Sequence, residues 1–155
     1  MRQALELRIP PVAVWLLSAA GIWALDRWLP LSELVFPGRL WAALALFSAG
    51  VVVAVRGVIA FRRHSTTVHP SHPERASTVV ADDVFAVTRN PMYLGLALAL
   101  AAWALLLGSL AGAAVFVPCF VIYLTELQIK PEERALTDKF GQAYLEYRDA
   151  VRRWL

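Results

Sequence analysis

The chain has 155 residues, of which 59% are hydrophobic and 17% are charged, and its net charge is +3. This composition excludes an ordinary soluble domain, because so short a chain has too much apolar side chain for its surface, and we predict a membrane protein. The cations flank apolar segments and do not form one soluble basic face, which argues against a nucleic-acid partner.

A bilayer core about 30 Å thick needs about 20 apolar residues per helix, which leaves room for about four crossings and no separate soluble domain. The first apolar segment covers residues 11–29. Its basic flank and its small residues are also typical of a cleavable signal peptide. Since the apolar character continues to span length and further spans follow, we interpret it as a transmembrane helix.

The second predicted span covers residues 40–61, and Arg56 is the one charged residue within it. Arg56 lies five residues before Phe61, about 7.5 Å along a helix. We therefore expect its guanidinium to reach the membrane surface.

The longest polar segment, residues 62–89, is a loop of a length that compact domains seldom carry without a function. Its three histidines, His64, His69 and His72, invite a metal hypothesis because imidazole is a common ligand. Prolines interrupt the segment and no second His/Cys cluster completes a ligand set, so we predict that no metal binds here.

An Arg-Asn-Pro-Met-Tyr-Leu-Gly corner at residues 89–95 joins this loop to the third span. Asn90 is expected to cap the helix by accepting from a backbone N–H, and Pro91 suits the first helical position. Arg89 and Tyr93 suit the depth of the membrane surface. An ordinary interfacial helix start explains these residues, so a binding site needs support from elsewhere.

The third and fourth spans are predicted over residues 91–107 and 110–129, with Gly108-Ser109 as the turn of a helical hairpin. Small residues in both spans would let their backbones approach closely. Gln128 lies at the end of the fourth span.

Beyond the fourth span, apolar side chains recur at steps of three and four, which predicts an amphipathic helix over about residues 131–149, lying along the membrane. Pro131, Glu132 and Glu133 form an ordinary helix start, with carboxylates near the positive end of the helix dipole. Two carboxylates opposite Arg89 would equally suit a ligand that carries an ammonium group, hydroxyls and a carboxylate.

The cation distribution predicts the topology. All 15 Lys and Arg residues except Arg27, Arg39 and Arg56 lie in the N-terminus, the long loop or the C-terminal segment. The positive-inside rule therefore puts both termini and the loop in the cytoplasm. We predict an all-α polytopic membrane protein with about four transmembrane helices and a C-terminal amphipathic interfacial helix, folded as a single domain over residues 1–155. The use of Ala, Leu, Arg and Trp leads us to expect a bacterial inner membrane.

Several short motifs share the order and spacing of one protein family. They are Thr66-Thr67-Val68-His69-Pro70, Thr78-Val79-Val80, the corner 89–95, Glu132-Glu133 with Leu136, Phe140-Gly141, Tyr144, Tyr147 and Val151-Arg152-Arg153-Trp154. Over roughly residues 60–155 the chain resembles the isoprenylcysteine carboxyl methyltransferase and phospholipid methyltransferase-like family. The resemblance implies a multi-pass membrane enzyme that uses S-adenosylmethionine without a soluble Rossmann-like domain.

The family's cofactor residues carry over by position. The resemblance implies that the cofactor contacts are Ser77, Thr78, Val79, Val80, Phe85, Asn90, Pro91, Met92, Tyr93, Glu132 and Glu133. Asp83-Val84 stands where a Gly-Pro or Gly-Val pair is often found. Gln128 stands where eukaryotic members have a substrate-binding arginine, so Gln128 is the candidate substrate residue and prenyl-cysteine recognition does not carry over.

The implied reaction is an in-line methyl transfer to a lipid-like or prenylated acceptor, in which positioning and exclusion of water dominate. The candidate catalytic residues are Arg89, to pair with a carboxylate, and Tyr93 and Glu133, to assist deprotonation of an ammonium acceptor. The alternative is a non-catalytic membrane scaffold or accessory protein that keeps the family architecture. A transporter is disfavoured because the spans hold no charges at the membrane midplane.

Overall fold

A computed structural model describes residues 6–28, 34–64 and 77–155, and within these ranges the chain is helical and contains no strand. The all-α prediction is therefore confirmed for the described residues. The predictions made on His69 and His72, and the motif at residues 66–70, lie outside them.

The first two helices occupy the first two predicted segments. Helix α1 covers Pro11–Trp28 and helix α2 covers Arg39–Arg63. The side chain of Arg56 in α2 is 60% exposed, and its Nη2 lies 2.6 Å from Oδ1 of Asp83. We expected this arginine to reach towards the membrane surface, but not to hold a carboxylate of the long loop.

Helix α3 covers Pro91–Leu107 and packs much more extensively against α2 than against the next helix. A Cβ atom added to Gly95 would lie 2.5 Å from the backbone oxygen of Gly50 and 2.7 Å from Cβ of Ala54. The glycines are therefore needed for this close approach. We expected small residues to let the third and fourth spans approach closely; α3 does contact α4, but its main packing partner is α2.

Helix α1 packs against α3 and against helix α4, which covers Leu110–Leu124. Indole N–H groups connect α1 and α3 in both directions. Trp15 donates to the backbone oxygen of Leu96, and Trp103 donates to that of Ala19, each at 3.0 Å. These bonds bury the polar edge of each indole and leave its apolar surface for packing.

The helix of the fourth predicted span continues beyond residue 129. A π-helical turn, Thr125–Ile129, connects α4 to helix α5, Lys130–Phe140, so that Leu110–Phe140 is one continuous helix. Pro131 therefore lies inside a helix and does not start one. Proline cannot donate to the carbonyl four residues earlier, and that carbonyl, of Leu127, accepts from the backbone N–H of Leu7 at 3.1 Å.

The predicted single amphipathic helix over residues 131–149 is also wrong. Gly141 ends α5 with a φ of +54°, and a separate helix α6 covers Gln142–Ala150. Glycine adopts this backbone conformation without a steric penalty, so the chain bends there. The bend turns α6 towards the long loop.

Two helices of the described chain, Arg39–Arg63 and Leu110–Phe140, are long and apolar enough to cross a membrane, and α3 is a shorter apolar helix. The C-terminal end of α2, the N-terminal end of α3 and the start of α5 lie at the same end of the bundle. We call this the polar end, and the opposite end, which contains Gly108 and Ser109, the turn end.

Candidate functional site

The corner that joins the long loop to α3 is fixed by the C-terminus of the chain. Pro91 occupies the first turn of α3, as predicted. Asn90 does not cap this helix with its side chain, which corrects our prediction. Its side-chain amide donates instead to the backbone oxygen of Arg153 at 3.0 Å. The amide can reach this oxygen because the C-terminal residues lie directly beside the corner.

Glu133 is held by two arginines. Its Oε1 accepts from Nη2 of Arg89 at 3.0 Å and from Nε of Arg153 at 2.9 Å, and its Oε2 accepts from Nη2 of Arg153 at 2.7 Å. The side chains of Arg89 and Glu133 are only 8% and 14% exposed. Hydrogen bonds between ionised groups are short and strong, so these three side chains form one rigid cluster.

Arg89 has one donor atom left over. Its Nη1 donates to the backbone oxygen of Arg148 at 3.0 Å, and its Nη2 donates to Glu133. Its Nε is buried and has no hydrogen-bond partner among the described residues. A buried donor without an acceptor costs about 1–3 kcal/mol, so an acceptor atom of a ligand would be stabilising at this position.

Glu132 has a different environment from its neighbour. The hydroxyl of Tyr93 donates to its Oε1, and Tyr93 is 6% exposed. No hydrogen bond from an arginine to Glu132 is present among the described residues. The two adjacent carboxylates thus face different partners, one a phenol and one a pair of guanidinium groups.

Two tyrosines of α6 enclose this cluster, and we did not predict either as a site residue. Tyr144 is 4% exposed, and its burial, together with the nearby carboxylate of Glu133, raises its pKa to about 12, so its hydroxyl stays protonated. The hydroxyl of Tyr147 donates to the backbone oxygen of Phe85 at 2.8 Å. Their spacing in the sequence indicated a buried helix face but not which surface it would cover.

The predicted cofactor residues of the long loop divide into two groups. Val80 and Phe85 are buried with Ala60 of α2, and the ring of Phe85 stacks on that of Phe61 with centroids 4.7 Å apart. Val79 is half-buried, whereas Ser77 and Thr78 are exposed. The buried apolar residues Val80 and Phe85 therefore pack against α2, whereas Ser77 and Thr78 do not lie in this packed surface.

The turn before Phe85 has the backbone conformation of a glycine. Asp83 has a φ of +51°, in the left-handed region that glycine prefers and aspartate tolerates better than most residues. The ion pair with Arg56 stabilises Asp83 in this position. The departure from the usual Gly-Pro or Gly-Val pair therefore does not prevent the turn.

Three further residues have mainly structural contacts. Pro91 and Met92 lie against Gly57 of α2, where an added Cβ would be 2.9 Å from Pro91 Cγ and 3.3 Å from Met92 Cγ. Gln128, the candidate substrate residue, is 1% exposed and donates through Nε2 to the backbone oxygen of Ile9 at 2.9 Å. Its amide therefore faces the N-terminal segment.

The described residues contain no group of three or more His, Cys, Asp or Glu side chains that could hold a metal ion. His64 contacts Asp82, with Nε2 3.0 Å from Oδ2.

Comparison with known proteins gives one family match. The family model for phospholipid methyltransferase matches residues 38–143, which includes α2, α3, α4, the corner and both glutamates. A protein of Haemophilus influenzae that is described only as uncharacterized is 48% identical over 65 residues, which are 41% of this chain and all of that protein. No solved structure matches.

Proposed function

Because the chain belongs to the phospholipid methyltransferase family, we propose that it is an integral-membrane enzyme that transfers a methyl group from S-adenosylmethionine to a lipid-like or prenylated acceptor. The observation that carries this proposal is the polar cluster at one end of an otherwise apolar bundle. Burying charged groups is costly, and folding of a helical hairpin does not require them. A site for a charged ligand accounts for their presence.

The residues of the polar end suit the chemical groups of this cofactor. Its carboxylate needs a donor, and Arg89 has a buried Nε–H without a partner among the described residues. Its ammonium and ribose hydroxyls need acceptors, and the second carboxylate oxygen of Glu132 can serve. Val80 and Phe85 supply an apolar wall beside the polar groups. When bound, S-adenosylmethionine supplies a sulfonium methyl group that a nucleophile attacks in line.

We assign different roles to the two glutamates. Glu133 accepts three hydrogen bonds from arginines, so its role is to orient Arg89. Tyr93 keeps its proton and donates to Glu132, so the carboxylate of Glu132 is the proton acceptor if the methyl acceptor is an ammonium group. A carboxylate acceptor needs no base. The packed helices around the pair exclude water, which otherwise competes as a nucleophile.

For the membrane arrangement we propose four spans, formed by α1 to α4, with both termini and the polar end in the cytoplasm of a bacterial inner membrane. The distribution of cations supports this orientation. A reporter enzyme fused after Leu155 should be active on the cytoplasmic side. Activity on the opposite side would overturn the four-span topology.

The proposed function is tested by calorimetric titration of the detergent-purified protein with S-adenosylhomocysteine, the product form of the cofactor. We expect the native chain to bind and Glu132→Gln to bind at least tenfold more weakly, because an amide nitrogen, which cannot accept, replaces an oxygen that accepts from the ligand's donors. Glu146→Gln, which makes the same change on the exposed surface of α6, is the matched control and should bind like the native chain.

The outcomes separate the two functional hypotheses. A folded native chain that does not bind S-adenosylhomocysteine would exclude the enzyme and favour the non-catalytic scaffold. Equal binding by the native chain and Glu132→Gln would exclude the assigned site but not the activity. Transfer of a radiolabelled methyl group into membrane lipid extract, compared with transfer into small amphiphiles, then distinguishes the acceptor classes.

A further inference from the structure

The last residues of the chain form a segment that closes over the corner. We call residues 151–155 the C-terminal strap. Its backbone oxygens accept three hydrogen bonds. Two come from the corner, from Arg89 N to Arg152 at 3.0 Å and from the Asn90 side chain to Arg153 at 3.0 Å, and one comes from the side chain of the preceding Thr88 to Arg153 at 3.3 Å.

A tryptophan adds a second anchor to the strap. The indole of Trp154 donates to Oγ1 of Thr125 at 3.2 Å, at the π-helical turn. The strap is therefore fixed to both α3 and the long helix that carries the glutamates. It lies beyond the residues matched by the family model, which end at residue 143.

The side chain of Arg153 determines which oxygens of Glu133 can bind Arg89. Arg153 binds both oxygens of the Glu133 carboxylate, whereas Arg89 reaches only Oε1, through Nη2. A carboxylate and a guanidinium favour a two-bond pairing wherever both are free to form it. Arg153 occupies the two-pronged face of the Glu133 carboxylate, so Arg89 keeps a single bond to Oε1.

We propose that Arg153 is a positioning residue, which occupies Oε2 of Glu133 and so keeps the Nε–H of Arg89 available to an acceptor atom of the ligand. Without Arg153, the Glu133 carboxylate would turn to bind Arg89 through both Nε and Nη2. The Nε–H donor, which has no partner among the described residues, would then bond to Glu133 and not to the ligand. This inference rests on the proposed function, because it concerns the ligand that Arg89 binds.

The charges in this cluster favour the same conclusion. Arg89 and Arg153 share a single carboxylate, so the three side chains carry one more positive charge than negative. An anionic ligand group beside Arg89 Nε would balance that charge in a site with little water. Removing Arg153 removes the excess positive charge, so it weakens the attraction for the anionic group of the ligand. It also changes how the donors of Arg89 are arranged.

The first test is binding of S-adenosylhomocysteine to Arg153→Met and to the double variant Arg153→Met/Glu133→Gln. We expect Arg153→Met to bind about tenfold more weakly than the native chain, which is the usual effect of one charged hydrogen bond. We expect the double variant to recover most of this loss, because the glutamine oxygen can still accept from Arg89 Nη2 and so orient Arg89, while its amide nitrogen cannot accept from Nε–H.

Arg152→Met is the matched control, since it removes an adjacent, exposed cation of the same strap, and it should bind within twofold of the native chain. Unchanged binding by Arg153→Met, or weaker binding by the double variant than by Arg153→Met, would overturn the proposal. If Arg153→Met does not fold, Arg153→Lys keeps the charge but not the two-pronged geometry, and an intermediate loss is expected. Native binding by Arg153→Lys would also overturn the proposal.

A second readout does not need the ligand. In protein labelled with ¹⁵N-arginine, the Hε resonance of Arg89, assigned by its loss in Arg89→Lys, should move downfield in Arg153→Met as Nε–H gains an acceptor. It should not move in Arg152→Met or in the double variant. An unmoved resonance in Arg153→Met would overturn the inference about Arg153 even if the native chain binds S-adenosylhomocysteine. The downfield shift without any ligand binding would support it while the proposed function fails.

Discussion

The polar end and the turn end of the bundle are held together by different interactions. At the polar end, largely buried ion pairs connect the corner, the long helix and the C-terminal strap. At the turn end, the contacts are mostly to the backbone. Leu34 N–H donates to the oxygen of Gly108 at 2.8 Å, Arg39 Nη1 donates to the oxygen of Leu34 at 3.1 Å, and Ser109 Oγ accepts from Gly112 N–H.

This difference distinguishes the interactions that folding requires from the buried charges that a ligand site requires. Among the described residues, the turn end is closed mainly by bonds to backbone N–H and C=O groups, with one hydroxyl and the guanidinium of Arg39. The polar end buries charged groups that closure of the bundle does not need. Substitutions at the polar end should therefore change ligand binding, whereas those at the turn end should change only stability.

The largest expected effect is that of Arg89→Met at the polar end. Breaking a buried ion pair costs about 3–5 kcal/mol, and the same change removes the donor proposed for the ligand's carboxylate. We expect binding of S-adenosylhomocysteine to weaken by at least about a hundredfold, together with a lower unfolding temperature. Arg148→Met removes an exposed cation of α6 and is the control. Calorimetric binding by Arg89→Met within threefold of the native chain would contradict the assignment of Arg89.

Tyr93→Phe is expected to have the next largest effect. It keeps the ring but removes the hydroxyl that donates to Glu132, which costs about 1–3 kcal/mol and should weaken binding by about tenfold. Tyr123→Phe is a sharp control, because the Tyr123 hydroxyl is buried without a hydrogen-bond partner among the described residues, so its removal should be neutral or stabilising. Equal losses of affinity in both variants would show that the effect does not come from the hydrogen bond between Tyr93 and Glu132.

At the turn end, Gly108→Ala should lower stability and leave binding unchanged. Gly108 has a φ of +78°, where an L-residue costs about 1–2 kcal/mol, and an added Cβ would lie 2.3 Å from Arg39 Nη1. Gly38 has a φ of +89° with nothing within 4 Å of an added Cβ, so Gly38→Ala reports the backbone strain alone. Thermal unfolding should show a larger loss for Gly108→Ala. Equal losses would mean that the Arg39 contact contributes nothing.

The smallest expected effect is that of Ser109→Ala. The Ser109 hydroxyl accepts from the backbone N–H of Gly112 at 3.3 Å and caps α4, and loss of such a cap costs about 1 kcal/mol. For a chain of this size we expect the unfolding midpoint to fall by about 2–4 °C with unchanged affinity for S-adenosylhomocysteine. Ser48→Ala, at an exposed position within α2, should not lower the midpoint. Reduced affinity in Ser109→Ala would contradict the prediction that substitutions at the turn end change only stability.

Much of the architecture was predictable because it depends on neighbouring residues. The apolar segments predicted helices, Pro91 predicted the start of α3, and Gly108-Ser109 predicted the hairpin turn. The motifs predicted the family, which the family match confirmed. Pro131 misled us for the same reason, because a proline before two glutamates is a good local helix start. The helix continues through it because the freed Leu127 carbonyl accepts from a distant donor, the backbone N–H of Leu7.

The arrangement of the candidate site was decided by contacts between distant residues. Tyr93 and Glu132 are 39 positions apart, and Asn90 and Arg153 are 63 apart. No local rule indicates that Asn90 donates to a carbonyl of the C-terminus in preference to capping its own helix, or that adjacent glutamates have unlike partners. The sequence by itself determined which segments are helical, because hydrophobicity and backbone preferences act over a few residues. Only the tertiary structure decided which charged groups meet, because in a buried site the lowest free energy belongs to the arrangement that best satisfies each charge.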